Sequence, residues 1–385
     1  MNETRNIPFG RPWIEDDERN AVVEVLKGHV LTHGPQCKSF EEKFTEYLGG
    51  EGHCLTVSSC TAGLHLIYMH FGIGQGDEVI VPAQTHTATA HAVEYVGAKP
   101  VFIDCLPESG NIDHNQIESH ITEKTKAISV VHFLGIPCDM EKICAIANKH
   151  NLKVVEDCAL AIGTRFNDIP ASLWGDAAAF SFYPVKHITT AEGGMLVTKH
   201  QAVCDSIKLL RAFGVDRTYE ERNVPGMYDV KMLGYNYRMS EVQAVIGIQQ
   251  MSRVSEILIK RKNNFSLLKE SLSPISDISI LDAQHDNEVN SHYCLTIVLQ
   301  NSLSEKRTDF IMQLKEAGVG TSIYYPQPVP RFSYYKNKYG YDASCFPNAE
   351  KISDCSIALP VGPHLGREDL EYIAEQCKKI AGELA

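Results

Sequence analysis

The sequence lacks the short motifs that mark several large classes of enzyme. Its 16 histidines form no HExxH pair and its 12 cysteines form no CxxC pair, so the usual zinc and redox patterns are missing. The glycine patterns GxGxxG and GxxxxGKS/T are missing too. These absences count against a metal enzyme, a dinucleotide-binding dehydrogenase and a P-loop nucleotide triphosphatase. We therefore predict that the protein holds no metal.

Long apolar runs are also absent. No stretch approaches the roughly 18 consecutive apolar residues of a membrane-spanning helix, and residues 1–11 do not contain the apolar core of a signal peptide. Several cysteines, among them Cys54, Cys105 and Cys158, lie inside apolar runs, as buried free thiols do in a reducing compartment. The sequence therefore predicts a cytoplasmic protein that does not enter a membrane.

The sequence contains fewer basic than acidic residues. The 385 residues include 36 lysines and arginines against 48 aspartates and glutamates, so the net charge is −12 with neutral histidines. Such acidity counts against a general partner of nucleic acid or of anionic membranes, although a local phosphate pocket stays compatible with it. Simple solubility is sufficient to explain the acidity.

What is present, from residue 54 onward, is an alternation of short apolar runs and helical patterns. The runs at 55–57, 79–81, 101–103 and 127–131 each precede a helical pattern. This alternation predicts an α/β fold with a mostly parallel sheet, whose ligands gather at the carboxyl ends of the strands. A long helical stretch follows at 240–272. We predict a large domain over residues 1–250 and a smaller mixed domain over 251–385.

The most informative stretch is SFYPVKHITTAEGG, residues 181–194. An apolar run at 177–182 predicts a buried strand that leads to one lysine, Lys186, before a glycine pair turns the chain into a second strand at 195–198. Burial disfavours the ammonium form, and a neutral amine is what Schiff-base chemistry requires. On this stretch alone, a lysine that reaches solvent from a turn is an equally good interpretation.

Polar residues follow other predicted strands. Residues 58–63, SSCTAG, open a helix whose free N–H groups suit an anion, although an ordinary Ser/Thr cap has the same pattern. Asp157 ends one buried strand and is suited to a protonated ring nitrogen, a metal or a helix cap. His86 follows another strand and is suited to stacking on a planar cofactor or to ordinary hydrogen bonding. A phosphate cradle, a carboxylate, a flat ring and a lysine together are what pyridoxal phosphate requires.

These motifs resemble those of the DegT/DnrJ/EryC1/StrS family of pyridoxal-phosphate sugar aminotransferases. The similarity runs nearly end to end, and the lysine stretch is its most specific part. It is carried by residues 31–35, 59–62, 82–86, 156–159, 181–194 and 234–241. The resemblance implies the aspartate-aminotransferase-like fold, which is fold type I of the pyridoxal-phosphate-dependent transferases.

The resemblance also implies roles for individual residues. Lys186 would bind the cofactor as an imine and later move a proton between substrate and cofactor. Asp157 would pair with the pyridine nitrogen, and His86 would stack on the ring.

At the phosphate, the resemblance implies contacts from Cys60, Thr61 and Ser181. It further implies that Asn236 reaches the phosphate from a neighbouring subunit, so a homodimer with shared active sites is expected.

Several positions depart from the family pattern, most of them around the substrate. His86 replaces the usual Phe or Trp, Leu160 replaces a Gln that commonly contacts the cofactor hydroxyl, and Cys60 replaces the more usual Gly. Tyr183 and Tyr324 stand where His is frequent. The expected substrate contacts are Arg238, Tyr183, Tyr324 and Tyr325, for which ordinary loop and interface packing is the alternative explanation.

The expected reaction is transfer of an amino group from an amino acid, L-glutamate, to a keto-sugar. A nucleotide-linked 4-keto-6-deoxyhexose destined for a surface glycan is the commonest family substrate. A 3-keto sugar, or a keto- or aldehydo-sugar without a nucleotide, is the alternative. Sugar dehydratases of the family resemble this chain but carry His in place of the lysine. A non-catalytic cofactor-binding regulator or scaffold is the alternative of another class.

Overall fold

The computed structural model describes residues 5–32, 34–216, 224 and 226–385. His33 of the first resemblance motif, and residues 217–223 and 225 of the polar stretch at 215–232 that we interpret as a functional loop, lie outside the described residues. The helices are α1 Asp16–Lys27, α2 Pro35–Tyr47, α3 Cys60–His70, α4 Thr87–Tyr95, α5 His114–Ile117, α6 Met140–His150, α7 Gln201–Leu210, α8 Glu241–Ser252, α9 Val254–Leu272, α10 Arg307–Glu316, α11 Ser333–Tyr339, α12 Pro347–Cys355 and α13 Arg367–Leu384. The strands are β1 His53–Val57, β2 Glu78–Pro82, β3 Lys99–Ile103, β4 Thr125–Val131, β5 Lys153–Asp157, β6 Arg165–Phe166, β7 Ile169–Pro170, β8 Ala177–Ser181, β9 Gly194–Thr198, β10 Ile278–Ile280, β11 Glu288–Val289, β12 Leu295–Leu299 and β13 Ser356–Leu359.

A seven-stranded sheet in the order β1-β9-β8-β5-β4-β2-β3 forms the centre of the fold. Strand β9 is antiparallel to both of its neighbours, and the other pairs are parallel. The strands are short apolar runs, as is typical of a sheet that is covered on both faces by crossover helices. Because six strands point the same way, their carboxyl ends lie along one edge. The predicted α/β class is confirmed.

Helix α3 packs unusually close to the sheet because small residues meet there. A Cβ built on Gly63 would lie 3.0 Å from Cβ of Ala179. A Cβ built on Gly194 would lie 2.7 Å from the backbone N of Cys60 and 2.7 Å from the carbonyl O of Phe180. The two glycines therefore bring the amino terminus of α3 directly over the ends of β8 and β9.

An aromatic cluster holds the strand that leads to Lys186. The rings of Phe40 and Phe44 on α2 pack against Phe182 at centroid distances of 5.2 and 6.0 Å, and Phe44 packs against Phe180 at 5.1 Å. All four side chains are fully buried. Burial of one such side chain stabilises the fold by about 1.5–3 kcal/mol. The cluster thus anchors the carboxyl end of β8.

A second, three-stranded sheet in the order β10-β12-β13 packs against α9, α10 and α13. Helix α9 links the two parts of the molecule, and the largest buried cluster includes side chains from both. The domain boundary at residue 250 falls within α8, ahead of this sheet, and stays a prediction.

Two predicted helices differ from those observed. The helical stretch 240–272 is divided at Arg253, whose φ of −112° and ψ of 2° end α8 before α9 begins. Arg253 is held there by ion pairs with Glu15 and Glu18 from the amino-terminal segment. The helix expected near 112–121 is only α5 followed by a short 3₁₀ turn. Among the described residues, no helix is both long enough and apolar enough to span a membrane.

Candidate active site

A closed loop follows β8 and carries the lysine. The backbone N–H of Phe182 donates to the carbonyl of Gly193 at 3.0 Å, and the carbonyl of Phe182 accepts from the N–H of Thr190 and the hydroxyl of Thr189. The N–H of Lys186 donates to the carbonyl of Tyr183 at 2.9 Å. These bonds fix the backbone on both sides of Lys186.

The side chain of Lys186 is largely removed from solvent. Nζ lies 5.5 Å from the ring centroid of Tyr293, and no hydrogen bond or ion pair to it is seen among the described residues. Burial lowers the pKa of Lys186 from its usual value of 10.5, partly offset by Cys60 and Asp157. The environment therefore favours a neutral amine, which is the reactive form.

Asp157 ends β5 with its carboxylate almost fully buried. Oδ1 accepts from the N–H of Ala159 at 3.0 Å and lies 3.7 Å from Sγ of Cys60, and Oδ2 accepts from the hydroxyl of Thr89 at 2.8 Å. An ionised carboxylate offers about four acceptor positions. Three are therefore in use, and one position on Oδ2 remains for a further donor.

The amino terminus of α3 provides unpaired donors. The hydroxyl of Ser59 accepts from the N–H of Ala62 at 3.1 Å, while the N–H groups of Cys60 and Thr61 have no acceptor in the described part of the chain. Ser181 pairs with Gly194 next to this terminus. Such N–H groups at the positive end of a helix bind a phosphate well. The thiol of Cys60 turns inward, 3.3 Å from the carbonyl O of Ala179, so only its backbone can face an anion.

His86 lies at the start of α4 and interacts electrostatically with both Asp157 and Lys186. Its Nδ1 accepts from the N–H of Ala88 at 3.1 Å, which assigns the proton of the neutral ring to Nε2. Burial lowers the pKa of His86, so the neutral ring is favoured. The ring meets that of Tyr325 edge to face at 5.3 Å.

Two of the tyrosines expected to contact substrate connect to Lys186 through Tyr293, whose ring lies near Nζ. The hydroxyls of Tyr324 and Tyr293 are 2.8 Å apart, and Tyr324 also packs on Tyr325. Tyr183, three residues before the lysine, is 48% exposed.

Asn236 and Arg238 do not join this group. Asn236 is exposed, and Arg238 lies over the ring of Phe213 at 5.0 Å, near Arg211. Arg238 lines a cavity of about 800 Å³ together with Arg211 and Glu41. Neither side chain has a described contact with Lys186 of its own chain.

The residues that do come together fit a group with an aldehyde, a ring nitrogen and a phosphate. A partly buried amine without a described partner, a carboxylate with one open acceptor position and free N–H groups at a helix terminus are the donor and acceptor set such a group requires. These features led us to compare the chain with known proteins. Residues 12–378 match the family model described as the DegT/DnrJ/EryC1/StrS aminotransferase family.

The chain belongs to this family.

Two relatives match this sequence over nearly its whole length. An uncharacterized protein of Methanocaldococcus jannaschii, MJ1066, is 35% identical over 381 residues, covering 98% of each chain. The spore coat polysaccharide biosynthesis protein SpsC of Bacillus subtilis is 33% identical over 386 residues, covering 99% of each.

Solved structures of sugar aminotransferases are also similar to this chain over nearly its whole length. The putative sugar aminotransferase Spr1654 of Streptococcus pneumoniae, in its PMP form, is similar with a TM-score of 0.93 and 29% identity, covering 99% of this chain and 100% of that one. PseC of Helicobacter pylori, an aminotransferase of pseudoaminic acid biosynthesis, has a TM-score of 0.92 and 26% identity, covering 98% and 100%. The predicted family, fold type and enzyme class are confirmed, and the roles of single residues stay predictions.

Three residues around this aminotransferase site were not predicted. The hydroxyl of Thr89 contacts Asp157, and that of Thr85 contacts Thr89. The ring of Tyr293 lies next to Nζ of Lys186. Thr85 precedes α4 and Thr89 lies within it, so no helical spacing rule in the sequence indicates that their hydroxyls meet. Tyr293 lies about a hundred residues from the lysine in sequence, and no local pattern indicates its place.

A possible metal set in the described part of the chain consists of His132, Glu156 and Cys158. Nδ1 of His132 accepts from the N–H of Cys138 at 3.2 Å, and its Nε2 lies 3.0 Å from Glu156. Glu156 also accepts three backbone N–H groups between residues 172 and 175. The ligand atoms of His132 and Glu156 already have partners, which makes this pair a structural network.

Proposed function

We propose that the protein transfers an amino group from L-glutamate to a keto-sugar, most readily a nucleotide-linked 4-keto-6-deoxyhexose. The observation that carries this proposal is the unpartnered, desolvated amine of Lys186 next to the buried carboxylate of Asp157. An amine with a lowered pKa is better suited to proton transfer at carbon, which both halves of a transamination require.

Pyridoxal phosphate is the cofactor. Spr1654 is known in PLP, PMP and apo forms, and the donor and acceptor set around Lys186 fits that group. When bound, pyridoxal phosphate supplies the aldehyde that carries the amino group and the ring that accepts electrons. Lys186 would hold it through Nζ, the amino terminus of α3 and Ser181 would bind its phosphate, and Asp157 would bind its ring nitrogen.

Proton movement is assigned to Nζ of Lys186. Once free as a neutral amine, Nζ would move a proton from the amino-acid carbon to the cofactor in the first half-reaction and from the cofactor to the sugar carbon in the second. Asp157 would bind the protonated ring nitrogen through the open position on Oδ2, and the neutral ring of His86 would stack on the cofactor ring. Tyr183, Tyr324 and Tyr325 would contact the sugar.

A homodimer completes the proposal. The segment around Asn236 and Arg238 exposes large apolar side chains, including Phe213 at 50%, Tyr228 at 55% and Leu233 at 80%. Exposed large apolar side chains, when they form a patch, typically mark an interface. Docking of this surface would bring Asn236 and Arg238 to the active site of the second subunit, which accounts for their distance from Lys186 of their own chain.

The nature of the sugar receives support from the relatives. SpsC takes its name from spore coat polysaccharide biosynthesis and PseC from pseudoaminic acid biosynthesis, which favours a role in a surface glycan. A 3-keto sugar or a sugar without a nucleotide is the second candidate. A non-catalytic scaffold is disfavoured because Lys186 and Asp157 are both present and adjacent.

The test is a substrate screen with mass spectrometry. Purified protein is incubated with glutamate and one of three acceptors: a nucleotide-linked 4-keto-6-deoxyhexose, a 3-keto analogue or a nucleotide-free keto-sugar. We expect the amino-sugar product and 2-oxoglutarate with the first. Product from another acceptor alone contradicts the sugar assignment, and no product from any contradicts sugar amination.

A further inference from the structure

The hydrogen bonds of Asp157 lead into a chain of buried hydroxyl groups. Oγ1 of Thr89 donates to Oδ2 of Asp157 at 2.8 Å, and Oγ1 of Thr85 lies 2.8 Å from Oγ1 of Thr89. Thr89 is fully buried and Thr85 almost so. The two threonines lie on either side of His86 in sequence, where the chain passes from β2 into α4. The chain of hydroxyls therefore ends at the carboxylate assigned to the cofactor.

The direction of these bonds follows from elementary chemistry. An ionised carboxylate accepts hydrogen bonds and donates none, so the single hydroxyl proton of Thr89 points to Asp157. Oγ1 of Thr89 then offers only lone pairs, so Thr85 is the donor of the second bond. Hydroxyls that donate in one direction polarise one another and strengthen the final bond to the carboxylate.

We propose that Thr85 and Thr89 form a hydroxyl relay that donates to the carboxylate of Asp157, so that the proton between Asp157 and the ring nitrogen of the cofactor stays on the nitrogen. This inference rests on the proposed function. In a buried site the shared proton has two alternative positions. It lies either on the ring nitrogen, next to a charged carboxylate, or on the carboxyl group, next to a neutral ring. Hydrogen bonds donated to the carboxylate favour its charged form. Thr89 is thus a positioning residue that acts through Asp157.

The thiol of Cys60 does not replace this relay. Its Sγ is 3.7 Å from Oδ1 of Asp157 but 3.3 Å from the carbonyl O of Ala179, and a thiol is a weak donor. The N–H of Ala159 binds Oδ1 as well. Among the described contacts, the hydroxyl of Thr89 is the donor to Oδ2, the oxygen that keeps an open position for the ring nitrogen.

The test uses holoenzyme reconstituted with pyridoxal phosphate that carries ¹⁵N in its ring. The ¹⁵N chemical shift reports whether the ring nitrogen holds the proton. In Thr89→Val, which keeps the shape but removes the hydroxyl, we expect the shift to move toward that of a neutral pyridine. We also expect a loss of about 10- to 100-fold in the rate of reaction with glutamate. Thr89→Ser restores the donor and should restore both values, and Thr85→Val should give a smaller change in the same direction.

Thr198→Val is the matched control. Thr198 is fully buried and its hydroxyl donates to the carbonyl O of Asp176 at 2.8 Å, at the end of β9 away from Lys186. This variant loses the same atoms and should leave the shift and the rate unchanged. Should Thr89→Val not fold, Thr85→Val gives the same test one hydroxyl further from the carboxylate.

An unaltered ¹⁵N shift in folded Thr89→Val, or a folded Thr89→Ser that does not recover, overturns the relay. In that case wild-type holoenzyme still takes up the cofactor and reacts with glutamate, so the proposed function stands. Wild-type protein that takes up no cofactor overturns both.

Discussion

Glu156 and Asp157 are neighbouring carboxylates on β5, and both are buried, yet their surroundings differ. Successive side chains of a strand point to opposite faces of the sheet. Glu156 accepts from the backbone N–H groups of Ser172, Trp174 and Gly175, and it lies against Nε2 of His132. These four contacts together occupy its acceptor positions. Asp157 retains an open position and lies near an unpartnered amine. The number of donors, rather than burial or charge, separates a structural carboxylate from one that can bind a ligand.

The largest effect should come from removing the charge of Asp157. In Asp157→Asn, the ring nitrogen loses its partner, and we expect the rate with glutamate to fall about 100- to 1,000-fold. The melting temperature should fall less than in a variant of Glu156, because the amide oxygen of asparagine can still accept from the N–H of Ala159. Stopped-flow absorbance and calorimetry measure the two quantities. A large loss of stability with a normal rate would reverse the roles assigned to the two carboxylates.

The opposite result is expected at Glu156. Glu156→Gln leaves at least one of the buried N–H donors of residues 172–175 without an acceptor, and the free energy of unfolding should drop by about 3 kcal/mol. Urea denaturation measures this loss. The rate per folded molecule should stay within a few-fold of wild type, and a rate as low as that of Asp157→Asn would remove the distinction.

Asn236→Ala extends the comparison to the phosphate end of the site. We expect about tenfold weaker cofactor retention, corresponding to one lost hydrogen bond to a charged group. Equilibrium dialysis with fluorescence detection measures it, and size-exclusion chromatography reports the oligomer. Asn264→Ala, which removes bonds to the carbonyls of Val361 and Gly362, is the control. Unchanged cofactor retention in Asn236→Ala, together with a monomeric wild-type protein, would contradict the shared site.

The smallest effect concerns the pH at which the cofactor binds. Burial lowers the pKa of Lys186, and Asp157 works against that shift. The fraction of Lys186 in the reactive neutral form increases as the pH rises through this lowered pKa. In Asp157→Asn the pKa should fall further, so the midpoint of cofactor uptake against pH should move to a lower pH. Glu156→Gln should not move it, and an upward movement in Asp157→Asn would contradict the electrostatic account.

Much of this arrangement could be predicted from the sequence. Short apolar runs that end in Asp157 and Ser181 identified the strands, and parallel strands bring their carboxyl ends to one edge. The lysine stretch alone allows a lysine that reaches solvent from a turn equally well, and its resemblance to the family favours the imine-forming role.

Other features depend on contacts between distant residues. No local signal predicts the break at Arg253, since no glycine or proline marks it and the cause is a pair of glutamates in the amino-terminal segment. The sequence does not show that Glu156 and Asp157 differ, because the donors of Glu156 come from residues 172–175. The place of Arg238 away from Lys186 likewise depends on its packing against Phe213.

The central claim is that Lys186 and Asp157 hold pyridoxal phosphate and that the resulting enzyme takes an amino group from glutamate. An absorbance spectrum of the purified holoenzyme, recorded before and after addition of glutamate, tests it most directly. We predict a visible band of the lysine-bound cofactor that gives way to a band at shorter wavelength, and we predict no such visible band in Lys186→Ala. A visible band that persists with glutamate would contradict the amino donor, and the absence of any band after incubation with pyridoxal phosphate would contradict the account of the site.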